Sequence, residues 1–246
     1  MTDLHTHILY NVDDGSSSFE MSLKMIELAK ESGTENIVLT PHCIPDMYPN
    51  YMSDFMVQDV VVGRFEKLKR ACIERKIGVN IYLGMEVYAD NDIINLINQG
   101  SLITINQSRY MLIEFPFEAD PMWVGYILSK VQSTGIVPVL AHPERYTYVQ
   151  QFPYMVHDWV NSGCLMQINR GSIVGRFGEV PRNVAHLLMR DNMVCAVASD
   201  AHKPDRRTPV LSDAYSLVEK NYGQRYAKKI FSENPKLIIN DRTVNI

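Results

Sequence analysis

The chain opens MTDLHTHILYNVDDG, with two histidines one residue apart followed by two adjacent aspartates. Side chains two residues apart on a strand project from the same side, so His5 and His7 can reach one ion. Asp200 and His202, near the other end of the chain, repeat that spacing. Asp13 and Asp14 fall on the loop after the first strand; Asp14 reads as a ligand and Asp13 as a turn residue. Single candidates stand between these pairs: His42, Glu86, Glu114 and His142. Imidazole mixed with carboxylate suits first-row divalent cations such as manganese, iron or zinc. An HxH or DxH pair alone is weak evidence; the weight lies in where all nine residues fall.

The intervening sequence must position them. Short apolar runs alternate with helical patterns. Strands are expected at 2–6, 36–42, 79–88, 110–117, 136–142, 164–169 and 193–200. Helices are expected near 17–33, with Ser17 and Glu20 as a capping box and Gly33 as the stop. Others are expected around 54–76, 92–100, 121–134, before 163, near 181–191 and over 210–232. Strands alternating with helices imply an α/β fold with parallel pairing, either a doubly wound sheet or a closed barrel. The nine polar residues lie on the first strand, on the loop just after it (Asp14), or at the ends of later strands. In a parallel barrel those C-terminal ends open onto one face, so residues far apart in sequence converge. His157 and His186 sit within helical patterns and read as ordinary surface or boundary residues.

Composition bounds the alternatives. The 246 residues are 46% hydrophobic, enough for a full core, and the formal net charge is −4 without a basic run. A nucleic-acid partner is therefore not expected. No apolar stretch is long enough to span a membrane, and Asp3, His5 and His7 interrupt any secretory leader. The four cysteines are scattered, which reads as reduced thiols in a cytoplasmic protein. Cys164 and Arg170 match the Cys-x5-Arg pattern of cysteine-dependent phosphatases. Their five intervening residues lack glycine and read as a buried strand rather than a phosphate-wrapping loop.

The segments DLHTHILYNVDDG, IVLTPH, LGMEVY, MLIEFPF, PVLAHPERY, INRGSIVGRFG and VASDAH, in order from residue 3 to 202, resemble the PHP (polymerase and histidinol phosphatase) superfamily. They are most similar to its bacterial protein-tyrosine phosphatase branch, the CpsB/YwqE type. Cys43, where a second histidine is usual, and Met85, where glutamine is usual, depart from that pattern. The resemblance implies a distorted TIM-like (β/α)7 barrel over 1–246 as a single domain, holding three divalent ions, manganese above all. It implies that one ion takes His5, His7, Glu86 and Asp200, a second Glu86, Glu114 and His142, and a third Asp14, His42 and His202. Arg145 and Arg207 resemble the phosphate-binding pair, with Arg206 the neighbouring alternative.

The implied reaction is hydrolysis of phosphotyrosine by a metal-activated hydroxide, with the arginines on the phosphoryl oxygens. The implied substrate is the tyrosine-rich C-terminal tail of a membrane-associated bacterial kinase that controls capsule or exopolysaccharide synthesis. Three rivals use overlapping features. A histidinol-phosphate phosphatase shares the metal cluster. An amidohydrolase-like enzyme shares HxH but leaves the two arginines without a role. A catalytically silent kinase-binding module leaves the ligands without one.

Overall fold

The computed structural model describes residues 1–43 and 54–245. Its strands are β1 (Thr2–Asp3), β2 (Asn36–Leu39), β3 (His42–Cys43), β4 (Asn80–Leu83), β5 (Glu86–Tyr88), β6 (Tyr110–Glu114), β7 (Val137–Ala141), β8 (Leu165–Asn169) and β9 (Val194–Ala198). The α-helices are α1 (Phe19–Glu31), α2 (Asp54–Glu74), α3 (Ile93–Gln99), α4 (Pro121–Ser133), α5 (Thr147–Gln151), α6 (Val156–Asn161), α7 (Arg170–Ile173), α8 (Glu179–Arg190), α9 (Ser212–Tyr222), α10 (Gln224–Lys228) and α11 (Asn234–Ile239). Every described ladder is parallel. They form two sheets, β1-β2-β4 and β3-β5-β6-β7-β8-β9.

Two expected strands are therefore each split, and a closed barrel is not shown. The run 36–42 breaks between β2 and β3, where Pro41 offers no N–H and Thr40 N bonds to Thr6 O instead. The run 79–88 breaks at Gly84, where a Cβ would stand 3.3 Å from both Thr40 Cγ2 and Val38 Cγ1. Each split sends the first half to the small sheet and the second half to the large one. The segment after β1 joins the two: Thr6 bridges Ala201, His7 N bonds to Ala201 O, and Asp200 N bonds to His5 O.

Both sheets wrap one inner apolar cluster that includes Leu4, Val38, Leu112, Val139, Ala141, Leu165 and Ala196. Strand side chains alternate, so residues two and four positions later share that inner side. Val38 is followed by Thr40 and His42, Leu112 by Glu114, Leu165 by Gln167 and Asn169, and Ala196 by Asp200. The apolar residues close the interior below, and their polar successors stand above them. A larger cluster, with Met25, Ile26, Leu68, Ile113, Leu128, Met166 and Leu188, packs the helices on the outer side.

Helix ends explain further differences. Ser18, not Ser17, caps α1: its Oγ accepts from Met21 N at 3.1 Å, and Glu20 reaches Arg75 instead. The expected helix over 210–232 is broken at Gly223 (φ 89°), and a π-turn over Lys229–Glu233 joins α10 to α11. Among the described residues no helix is long and apolar enough to cross a membrane.

Candidate metal centre and phosphate site

All nine expected ligands come together, and Glu86 at the start of β5 is their centre. Its Oε2 lies 3.1 Å from His5 Nε2, 3.2 Å from His7 Nε2 and 3.0 Å from His42 Nδ1. Its Oε1 lies 3.2 Å from His142 Nε2, which is also 3.5 Å from Glu114 Oε1. Asp200 Oδ1 sits 3.6 Å from His5 Nε2 and 3.4 Å from His7 Nε2. Asp14, the most exposed member, reaches His202 Nε2 at 3.3 Å and His42 Nε2 at 3.8 Å. The ligand atoms form four overlapping groups: His7–Asp14–His42–His202, His5–His7–Asp200, His5–Glu86–His142 and His42–Glu86–Glu114.

The surrounding hydrogen bonds determine which way the imidazoles face. The Asp200 carboxylate can only accept, so Asn169 Nδ2 donates to its Oδ2 (2.7 Å) and Asn169 Oδ1 faces Gln167 Nε2 (2.9 Å). That leaves Gln167 Oε1 to accept from His5 Nδ1 (2.8 Å), and the His5 Nε2 lone pair points at Glu86 and Asp200. Asp13 Oδ2 likewise accepts from His7 Nδ1 (2.7 Å), and the Asp200 backbone oxygen accepts from His202 Nδ1 (3.0 Å). Three histidines thus present bare Nε2 atoms to the centre. His5 Nε2 and His7 Nε2 are only 3.1 Å apart, and two lone pairs at that distance repel unless a cation or proton lies between them. Glu86 Oε2 is buried and has no aligned hydrogen-bond donor despite its three imidazole neighbours. Orphaned acceptor, facing lone pairs and mixed N/O donors together fit divalent metal ions.

Without ions, protons must balance the charge. Burial opposes a charged His7, but Asp13 beside it outweighs this and holds the imidazole well above its ordinary value. Burial also opposes charge on His5, and Glu86 and Asp200 raise it nonetheless. Burial would push Glu86 and Asp200 up, but the imidazoles, with Arg207 at Asp200, draw both well below the usual carboxylate range. Burial and the Glu86 charge push Glu114 up to about 7.

Both expected phosphate-binding arginines meet the other oxygen of Asp200. Arg207 Nη2 lies 2.6 Å and Arg145 Nη1 3.6 Å from Oδ2, while Oδ1 faces the histidines. Arg206 is exposed. Backbone strain accompanies this placement: His142 (φ 36°), Asp200 (φ 52°) and Arg207 (φ 49°) all occupy the left-handed region. At His142 it breaks the alternation that would follow inward-facing Ala141 and lets the imidazole join the centre.

Sequence reasoning missed Gln167 and Asn169. Their signal was present: both share the parity of Leu165 and so face inward. Asp13, read only as a turn residue, is both. It accepts from Gly15 N and His42 N while it orients His7. Cys164 is buried and its thiol is pushed up to about 11, and Arg170 forks onto Asp213 at 2.8 and 2.5 Å. The Cys-x5-Arg pattern is therefore structural. His157 is exposed, and His186 packs against Tyr222.

Known proteins match this chain over nearly its whole length. A family profile described as capsular polysaccharide synthesis, CpsB/CapC, matches residues 1–240. Tyrosine-protein phosphatase CpsB of Streptococcus pneumoniae is 32% identical, the match covering 99% of this chain and 100% of that one. Tyrosine-protein phosphatase YwqE of Bacillus subtilis is 29% identical, over 99% and 93%. A solved structure from work on YwqE and CpsB, described there as metal-dependent tyrosine phosphatases, superposes with a TM-score of 0.91 at 29% identity. It covers 100% of this chain and 96% of the solved one. A family profile over residues 1–240 and a relative above 30% identity over nearly the whole chain lead to one assignment: the chain belongs to the CpsB/CapC family.

Proposed function

We propose that the protein is a metal-dependent protein-tyrosine phosphatase acting on a bacterial tyrosine kinase that governs capsular or exopolysaccharide synthesis. The observation that carries this reading is Asp200, which turns one oxygen to the histidine cluster and the other to Arg145 and Arg207. Metal ligands and phosphate-binding cations thereby share one wall. The CpsB/CapC relatives named as tyrosine-protein phosphatases support the substrate class. The proposed ion division is His5, His7, Glu86 and Asp200; Glu86, Glu114 and His142; Asp14, His42 and His202. The third set lies within one ligand group, whereas the first spans two groups that share His5 and the second two that share Glu86; manganese is the leading candidate.

Bound divalent ions would supply a water acidic enough to deprotonate near neutral pH and would neutralise phosphoryl charge. The chain does the rest. Gln167, Asp13 and the Asp200 carbonyl hold His5, His7 and His202 with their Nε2 atoms inward. Arg145 and Arg207 offer planar forks to the phosphoryl oxygens, and the buried Arg207 Nε has no partner within the protein. A phenol leaves with a pKa of about 10, so it needs less proton assistance than a serine alkoxide. The kinase tail lies at the membrane surface in this reading, and the enzyme acts from the cytoplasm.

Hydrolysis of a phosphotyrosine peptide should stop when chelation removes the ions and return with Mn²⁺. Undiminished turnover in excess EDTA, with metal loss confirmed by elemental analysis, would sink the proposal. Arg145→Ala should cut turnover at least about tenfold with metal content unchanged, the loss expected for a charge-assisted phosphate contact.

A further inference from the structure

Arg145 has a second side. Its guanidinium carbon lies 4.7 Å from the Phe117 ring centroid and 4.6 Å from that of Phe177, so the cation is held between two aromatic faces. Beyond the rings opens a cavity of about 440 Å³, whose wall includes Arg145, Phe117, Phe177, Gln150, Val180 and Pro181. None of the nine proposed ligands lines it. Arg145 is therefore the one residue common to the phosphate site and this cavity.

The wall is built from the fold. Phe177 presses so closely on Gly171 that a Cβ there would stand 2.5 Å from its Cε2. Phe117 packs edge-on against His142 at 6.0 Å, yet remains 39% exposed. Gln150 is fixed by donating to the Glu144 carbonyl at 3.1 Å. An exposed phenylalanine beside a charged site is an apolar surface in want of a cover. The cavity lies in the range of small-molecule sites, roughly 300–1,000 Å³.

We propose that this cavity is the subsite for the aromatic group of the phosphoester, with Phe117 and Phe177 as specificity-determining residues. The inference rests on the phosphatase reading. A single ester oxygen separates phosphorus from the tyrosyl ring, so a phosphoryl group held at Arg145 delivers its ring to the opening that begins there. The ring then meets the free edges of Phe117 and Phe177, an arrangement aromatic pairs favour. A serine phosphate brings only a methylene and leaves the phenylalanines wet.

Two phosphonates separate ring binding from phosphate binding. Calorimetric titration of the Mn²⁺-loaded protein with phenylphosphonate and methylphosphonate should show the phenyl compound binding about tenfold tighter, the worth of burying one ring edge. Phe177→Leu should remove most of that preference while methylphosphonate binding stays within about twofold. Val180→Trp fills the cavity from an exposed position (54%) on the first turn of α8 and should do the same without endangering the fold. Equal weakening of both ligands would make Phe177 a mere support for Arg145. That result, an unchanged preference in both variants, or no preference in the wild type would overturn the subsite. If the wild type still hydrolyses phosphotyrosine peptides, such a result leaves the phosphatase reading standing. A wild type that hydrolyses none overturns both.

Discussion

Glu86 bears more of the site than any other side chain, because four imidazoles reach its two oxygens. Removing one charge there should empty more than one position. Glu86→Gln should bind fewer ions per chain than the wild type by elemental analysis, and a full complement would remove it from the centre. Asp13 acts through His7. Asp13→Ala frees the ring to rotate and removes the acceptor that keeps the proton on Nδ1. Loss of such a partner costs roughly 10–100-fold in metal affinity, which competition with a chelating dye would measure. Proton balance sets the pH dependence. His5 and His7 are raised and Glu114 sits at about 7, so below neutral pH these groups hold protons that an ion must displace. Affinity for Mn²⁺ should therefore rise with pH through neutrality, with proton release on binding seen as buffer-dependent heats. A pH-independent affinity would contradict the ligand set.

At the scale of elements, the turn after the first histidines is as constrained as the ligands. A Cβ on Gly15 would stand 2.1 Å from His7 O and 2.5 Å from His7 Cβ. Both contacts are with the backbone and Cβ of His7, not with a flexible side-chain end, so the loop must move and take Asp13 and Asp14 with it. Gly15→Ala should lower both the melting temperature and metal content, whereas a wild-type value for each would show that the loop adapts. The end of β8 offers the contrary case. Cys164 precedes the strand as a buried thiol whose ionisation is disfavoured by burial. Cys164→Ser should keep turnover and metal content, with at most a modest loss of stability from burying a hydroxyl. Loss of activity with full metal content would revive the cysteine mechanism.

Over the whole molecule, the ligands come from both sheets' surroundings: the segment after β1, then β3, β5, β6, and the loops after β7 and β9. Ions bound there would tie together strands that no single ladder joins. Saturation at about 100 times Kd adds about 2.7 kcal/mol to stability, which for a chain of this size raises the melting temperature by roughly 5–10 °C. Scanning calorimetry with EDTA and with Mn²⁺ should show that rise, and its absence would mean that the centre is not occupied.

The alternation of elements, the strand ends and all nine converging residues were legible in the sequence, because period-2 patterning and polar residues closing apolar runs are local signals. The inert reading of Cys164 followed from the bulk of its neighbours in the same way. Other features depended on contacts between distant residues. The split of two strands between sheets came from Thr40 meeting Thr6 and from Gly84 meeting Val38 and Thr40. That Arg207 rather than Arg206 reaches Asp200 came with a left-handed backbone at Arg207. The relay from Asp200 through Asn169 and Gln167 to His5 joins residues 162 positions apart at its closing contact. Local sequence chose which residue types stood at the strand ends; only packing the sheets around one interior decided which atoms of those residues face one another.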